Sequence, residues 1–357
     1  MKVGILSMQQ ITNYGSFLQA YGLKSIIEGL GHEVEFIDIV PGEQLSQYRI
    51  GRFHKFGLLW KRLFVKHPLR QLRCTLKLHK RFDKEFKPEL GVGVGNNSHF
   101  DAVVIGSDEV FNIAQTTWFG FSTQLFGEGL NADKVLSYAG CFGATTLGIL
   151  KELNLHNKIG GLLKQFSAIS VRDENSANIV VELTGARPSL NVDPVIAYGF
   201  EKEIRLPEHK GRYMLVYTYP GRMNKPDEVL AIKKYARSKG LRIISNANYF
   251  DWVDEVITPH PFEVLGYFRR AECIVTDTFH GAVMSLKYNK PFSVIVRGMN
   301  SNKLTYLLEQ FGLKQRIVGN ISKLATIMEQ PVGYDSVNAI IDVEKECTIE
   351  YLKDNLQ

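Results

Sequence analysis

Residues 271 to 286 read AECIVTDTFHGAVMSL: a short apolar run, a polar turn and a segment of helical spacing. Cys273 to Thr276 has the length and composition of a buried strand. Phe279 to Lys287 places Phe279, Ala282, Val283 and Leu286 at i, i+3, i+4 and i+7, the pattern of one helix face. A buried strand that runs straight into a helix is the unit of which parallel sheets are made. Asp277 and Thr278 stand where the helix needs a cap, and His280 falls in its first turn, rotated ~100° from Phe279 toward the rim of the sheet. A helix start presents unpaired N–H groups and partial positive charge, which suits phosphate or carboxylate. His280 thus has two readings, a reactive group beside a bound anion or a ring that bonds a neighbouring carbonyl.

The same alternation extends in both directions. Strands are predicted at Lys2–Leu6, Glu33–Ile39, Asp101–Gly106, Val135–Tyr138 and Ala168–Val171, with helical spacing at Leu23, Ile26, Ile27 and Leu30. The charged, apolar-poor EKEIRLPEHKGR, from Glu201 to Arg212, interrupts the pattern. It then restarts with strands at Tyr213–Thr218, Leu241–Ser245, Cys273–Thr276 and Phe292–Val296, and helices at Pro226–Ser238, Pro261–Arg270, Phe279–Lys287 and Asn302–Phe311. The fold class is therefore α/β, with two Rossmann-like domains and a ligand cleft between their C-terminal strand edges. The expected limits are 1–205 for the first domain, with a basic helical insertion at about 49–90, and 206–335 for the second. A C-terminal helix, 336–357, is expected to pack back on the first domain.

The net charge of +6 is concentrated in the insertion. Between Arg49 and Lys87 stand thirteen Lys or Arg against two acids, leaving thirty basic against thirty-five acidic residues elsewhere. Leucines and aromatics interleave with those charges, as in one or two amphipathic basic helices. Such helices lie on an anionic membrane surface, face an anionic substrate, or form a solvated face packed on the domain by its leucines. Nucleic acid is not expected, because the rest of the chain is acidic and no nucleic-acid motif occurs. No apolar run reaches the ~18 residues of a membrane span, and Met1 to Met8 turns polar too soon for a secretory signal. A cytoplasmic protein is expected, with peripheral contact at the inner face of the cell membrane through the basic segment. The four cysteines lack CxxC spacing, and no metal site is indicated. The absence of GxxxxGK[ST], HExxH and GxSxG removes the simplest nucleoside triphosphatase, zincin and serine hydrolase readings.

Other polar groups gather at predicted strand ends. ITNYGS brings Asn13 and Gly15 to a helix start, a spacing suited to a sugar or phosphate oxygen. GSDEVFN crowds Ser107, Asp108, Glu109 and Asn112 on one loop, where a carboxylate can accept from sugar hydroxyls. For both loops plain helix capping is the alternative. Arg172, Arg222, Arg297 and Lys303 end strands or open helices and are candidate anion ligands, and His260 in TPHPFE is a second histidine of interest.

In order along the chain, ITNYGSFLQAYGL, FDAVVIGSDEVFN, LSYAGCFG, ISVRDENS, NVDPVI, AECIVTDTFHGAVMSL and NKLTYLLEQFGL resemble the polysaccharide pyruvyl transferase family, from about residue 3 to 318. The resemblance implies a glycosyltransferase B-type arrangement of the two domains. It also implies transfer of pyruvate from phosphoenolpyruvate, as donor substrate with no cofactor, to a sugar, giving a ketal on polysaccharides or lipid-linked precursors. The acceptor would then be a saccharide, such as one linked to undecaprenyl diphosphate. In that reading His280 is the acid/base or phosphate-contacting group. Thr278 and the helix start, Arg172, and Arg297 or Lys303 hold the anion, while Asn13, Gly15, Ser107 and Asp108 orient the sugar. Phe279 stands where the family often has arginine, Phe111 where it often has tryptophan, and Lys303 at the place of a late arginine. Two rival readings are a sugar-nucleotide-dependent glycosyltransferase of the same fold and a non-catalytic saccharide-binding protein of an assembly system.

Overall fold

Apolar runs buried on both faces build two parallel sheets, as expected where helices cover a sheet on either side. The computed structural model describes residues 1–45, 67–93, 98–115, 117–298 and 301–357. Among these, one compact unit takes residues within 1–56, 84–199 and 342–357, and the other those within 57–83 and 200–341.

In the first unit β1 (Lys2–Leu6), β2 (Glu33–Phe36), β3 (Phe100–Ile105) and β4 (Ala132–Ser137) are parallel in the order β2-β1-β3-β4. The short pair β5 (Ser170–Val171) and β6 (Ser189–Leu190) continues from β4 through bridges at Leu136–Ala168 and Gly140–Val171. Helix α1 (Tyr14–Gly29) connects β1 to β2. Between β2 and β3 in sequence stands α2 (Pro68–Arg81), which belongs to the second unit, and α3 (Glu174–Thr184) follows β5. The chain leaves β1 for β2 on one side and returns for β3 on the other. The C-terminal ends of β1 and β3 therefore flank the topological switch point, where open α/β sheets bind ligands.

The second unit repeats the device with β7 (Tyr213–Tyr217), β8 (Arg242–Asn246), β9 (Glu255–Ile257), β10 (Cys273–Thr276) and β11 (Phe292–Val294), all parallel in the order β11-β10-β7-β8-β9. Its switch point lies between β7 and β10. Its helices include α4 (Pro226–Ser238), α5 (Pro261–Arg270), α6 (Phe279–Lys287) and α7 (Ser301–Gln310). In α6 the residues Ala282, Val283 and Leu286 are fully buried, and a side chain the size of Val283 or Leu286 contributes about 1.5–3 kcal/mol when buried.

The division differs from the expected limits in three places. It falls after residue 199 rather than 205, the chain returns to the first unit at 342 rather than 336, and α2 joins the second unit although the basic insertion is expected in the first domain. For α2 the reason is local bonding: the Cys74 thiol donates to the carbonyl of Ala247 at 3.3 Å, and Arg81 donates to the carbonyl of Thr258. The part of the insertion from 49 to 66 lies outside the described residues. The final helix α8 (Tyr334–Asn355) has its residues from 342 onward in the first unit, where the Tyr138 hydroxyl meets Thr348 at 2.9 Å and the Tyr351 hydroxyl donates to Ser137. No described helix is long and apolar enough to cross a membrane.

Candidate functional site

At the switch point of the second unit the turn Asp277–Thr278 closes β10 and opens α6. Thr278 is the cap: its Oγ1 accepts from the Gly281 N–H at 3.0 Å, and its own N–H donates to Thr276 Oγ1 at 3.1 Å. Thr276 in turn donates to the carbonyl of Tyr217 on β7 at 2.7 Å, tying the two central strands together. A Cβ on residue 281 would lie 2.1 Å from Thr276 Oγ1 and 2.7 Å from Thr278 Oγ1, so the motif needs glycine there. His280 is the second residue of the helix and is buried, its ring edge-on to Phe279 at 5.5 Å between centroids. Lys303 Nζ stands 5.9 Å from the centre of the Phe279 ring, within cation–π range.

Asp277 is fully buried across the β7/β10 junction, accepting from Thr218 Oγ1 at 2.6 Å and from Arg297 Nε at 3.1 Å. Burial pushes its pKa up, against the opposing pull of Thr218, Arg222 and Arg297. Arg297 also forms a two-pronged pair with Glu228 of α4, at 2.7 and 3.1 Å, and these hydrogen bonds raise its pKa against the effect of burial. Its guanidinium is thus engaged by two protein carboxylates rather than left open to an anion. Arg222, after β7, is different. Its guanidinium lies 4.9 Å from the Tyr219 ring centre, and its buried Nη1 makes no hydrogen bond among the described residues.

At the switch point of the first unit, Asn13 Oδ1 accepts from the N–H groups of Gly15 and Ser16 at 2.7 and 3.4 Å, so it caps α1. Asp108 has φ 76°, a left-handed conformation that carries strain in any residue but glycine. It is held there by Ser16 Oγ at 3.0 Å and Arg172 Nη2 at 3.2 Å. Arg172, at the end of β5 and almost wholly buried, also reaches Asp193 at 3.0 Å, and Ser107 Oγ meets the same Asp193 oxygen at 3.2 Å. Burial alone would lower the arginine's pKa; Cys141, Asp108 and Asp193 together more than reverse that. Asn13, Gly15, Ser107, Asp108 and Arg172 therefore come together in one network, with Arg172 serving as its ionic centre.

Four residues of these networks escape a reading of the sequence: Asp193, Ser16, Glu228 and Thr218. NVDPVI displays Asp193 before proline as a helix cap, and it does cap the short helix Pro194–Ala197. His260 likewise caps α5, accepting from the Phe262 N–H at 3.2 Å while Glu263 accepts from its own N–H. Among the described residues, the metal-type side chains that meet are His99, Asp101 and Asp133 at the surface, where His99 bonds Asp133 and Asp101 accepts from the Lys2 N–H.

Two parallel sheets, each with its polar network at the switch point, define the glycosyltransferase B-type fold, and solved structures share it. A UDP-GlcNAc 2-epimerase from Neisseria meningitidis, bound to UDP-GlcNAc, is similar at a TM-score of 0.53 and 11% identity, over 100% of this chain and 99% of that one. A UDP-forming trehalose-phosphate synthase from Burkholderia xenovorans is similar at 0.50 and 10%, over 99% and 98%. At such identities the likeness speaks for the fold. The model of the polysaccharide pyruvyl transferase family matches residues 13–298, from the cap of α1 to just past Arg297. The chain belongs to that family of transferases. No curated protein matches it in sequence.

Proposed function

We propose that the protein transfers the pyruvyl group of phosphoenolpyruvate to two hydroxyls of a saccharide, on a polysaccharide or its lipid-linked precursor, forming a pyruvate ketal. The observation that carries this reading is the placement of His280 in the first turn of α6, at the switch point of the second unit, in a chain of this family. The chemistry requires a proton on the methylene carbon as a sugar hydroxyl attacks C2. A second hydroxyl then closes the ketal and phosphate leaves. His280 is assigned the proton transfer or the phosphate contact. The N–H groups at the start of α6 and the cations Arg222 and Lys303 are assigned the phosphate and carboxylate. Arg297 and Arg172 act instead through the protein's own carboxylates: Arg297 sets Asp277 beneath the anion site, and Arg172 sets the Asp108 loop on the acceptor side, with Asn13 fixing the start of α1.

The test is direct. Incubation with phosphoenolpyruvate and a lipid-linked saccharide should release one phosphate per pyruvyl ketal found by mass spectrometry. His280→Ala should lower turnover by about 10²-fold or more, while a cooperative melt shows that the variant remains folded. Turnover at the wild-type rate would remove His280 from the chemistry. A sugar-nucleotide-dependent glycosyl transfer is the second reading, supported by the fold shared with the UDP-GlcNAc 2-epimerase and the UDP-forming trehalose-phosphate synthase.

A further inference from the structure

Helix α2 turns its apolar stripe outward. Gln71, Cys74, Thr75 and Leu78, the side that bonds to the second unit through Cys74, are partly covered. On the opposite side Leu69, Leu72 and Leu76, at i, i+3 and i+7, are 69%, 48% and 58% exposed. An amphipathic helix serving only to complete a core would be oriented the other way round. At 100° per residue Arg70, Arg73, Lys77 and Lys80 follow one flank of the leucine stripe, and no acidic residue occurs in the helix. A second element continues this surface. Between α2 and α4 opens a cavity of about 680 Å³, lined by Gln71, Leu230, Lys233, Arg237, Asp251 and Trp252, in which Leu230 is 69% exposed.

We propose that the outer face of α2 and the adjoining edge of α4 dock the protein on an anionic lipid bilayer. The leucines would enter the boundary between headgroups and acyl chains, the flanking cations would meet lipid phosphates, and the cavity with Lys233 and Arg237 would seat a headgroup. Apolar area and positive charge on one exposed helix face are the two terms that hold an interfacial helix to an anionic membrane, and neither alone gives a stable attachment. The charge complementarity selects lipid over an apolar protein partner. The inference does not rest on pyruvyl transfer, because binding is read without donor or acceptor.

Vesicle flotation of the full chain tests it, with phosphatidylcholine alone against phosphatidylcholine containing phosphatidylglycerol. Partition into the anionic vesicles only is expected, weakening at high salt. The triple variant Leu69→Ser, Leu72→Ser, Leu76→Ser and the variant Arg70→Gln, Arg73→Gln, Lys77→Gln, Lys80→Gln should each lower partition by roughly tenfold or more. Both leave the melting curve in place, since the altered side chains face outward. As a check free of any loss of fold, Leu72→Trp should show a blue-shifted emission on adding anionic vesicles. No partition, equal partition into both vesicles, retained binding by the leucine variant, or a self-association abolished by that variant would overturn the proposal.

Discussion

Asp277 is the residue whose surroundings make the sharpest demand. Its carboxyl is buried at the junction of β7 and β10, and burial raises its pKa from the ordinary value of 3.8. Below the unfolded value both states carry the proton and the residue contributes no pH dependence. As pH rises through the raised folded value the native state must hold a buried charge, so stability is lost across that window. The slope cannot exceed about 1.4 kcal/mol per pH unit for one group. Urea unfolding measured from pH 4 upward should show wild type losing stability relative to Asp277→Asn, and parallel curves would contradict the assignment. The sequence offers Asp277 and Thr278 alike as the cap of this helix. Thr278 takes that place, and Asp277 bonds to Thr218, 59 residues away, a partner that only the tertiary fold supplies.

Among the elements, α6 illustrates why so much of the architecture is legible. A buried parallel strand is a continuous apolar run and a buried helix has a clear period. Cys273–Thr276, Phe279–Lys287, Pro226–Ser238 and Pro261–Arg270 accordingly have the same limits in the chain's pattern and in the fold. β6 and β9, of two and three residues, are too short to carry any period. The orientation of α2 is hidden for another reason: a periodic stripe shows that a face is apolar but not what covers it. The same limit applies to Arg172 and Arg297, whose partners Asp193 and Glu228 lie 21 and 69 residues away. The entry to α6 also carries its own test. Gly281→Ala forces a methyl group against Thr276 and Thr278, which should destabilise the protein by about 1–3 kcal/mol and loosen the cap that holds His280. An unchanged melting temperature would show that the two hydroxyls move aside freely.

For the whole molecule, the ligand that binds the folded state distinguishes the two readings of its function. Phosphoenolpyruvate should raise the melting temperature, with about 2.7 kcal/mol of stabilisation at a hundredfold excess over its dissociation constant. Stabilisation by UDP- or GDP-sugars and not by phosphoenolpyruvate would favour glycosyl transfer. The way the chain is shared between the units has a further consequence, this time for its synthesis. Thr348, Leu352 and Leu356 are buried in the first unit, where Thr348 adds a second partner to the Tyr138 hydroxyl, which also donates to the carbonyl of Val192. A nascent chain that has already delivered residues 1–199 must therefore leave this surface bare while the ribosome makes the whole second unit. At typical elongation rates that interval is on the order of ten seconds. During that time the first unit lacks the segment that supplies Thr348, Leu352 and Leu356, and its packing is completed only when the last residues of the chain arrive.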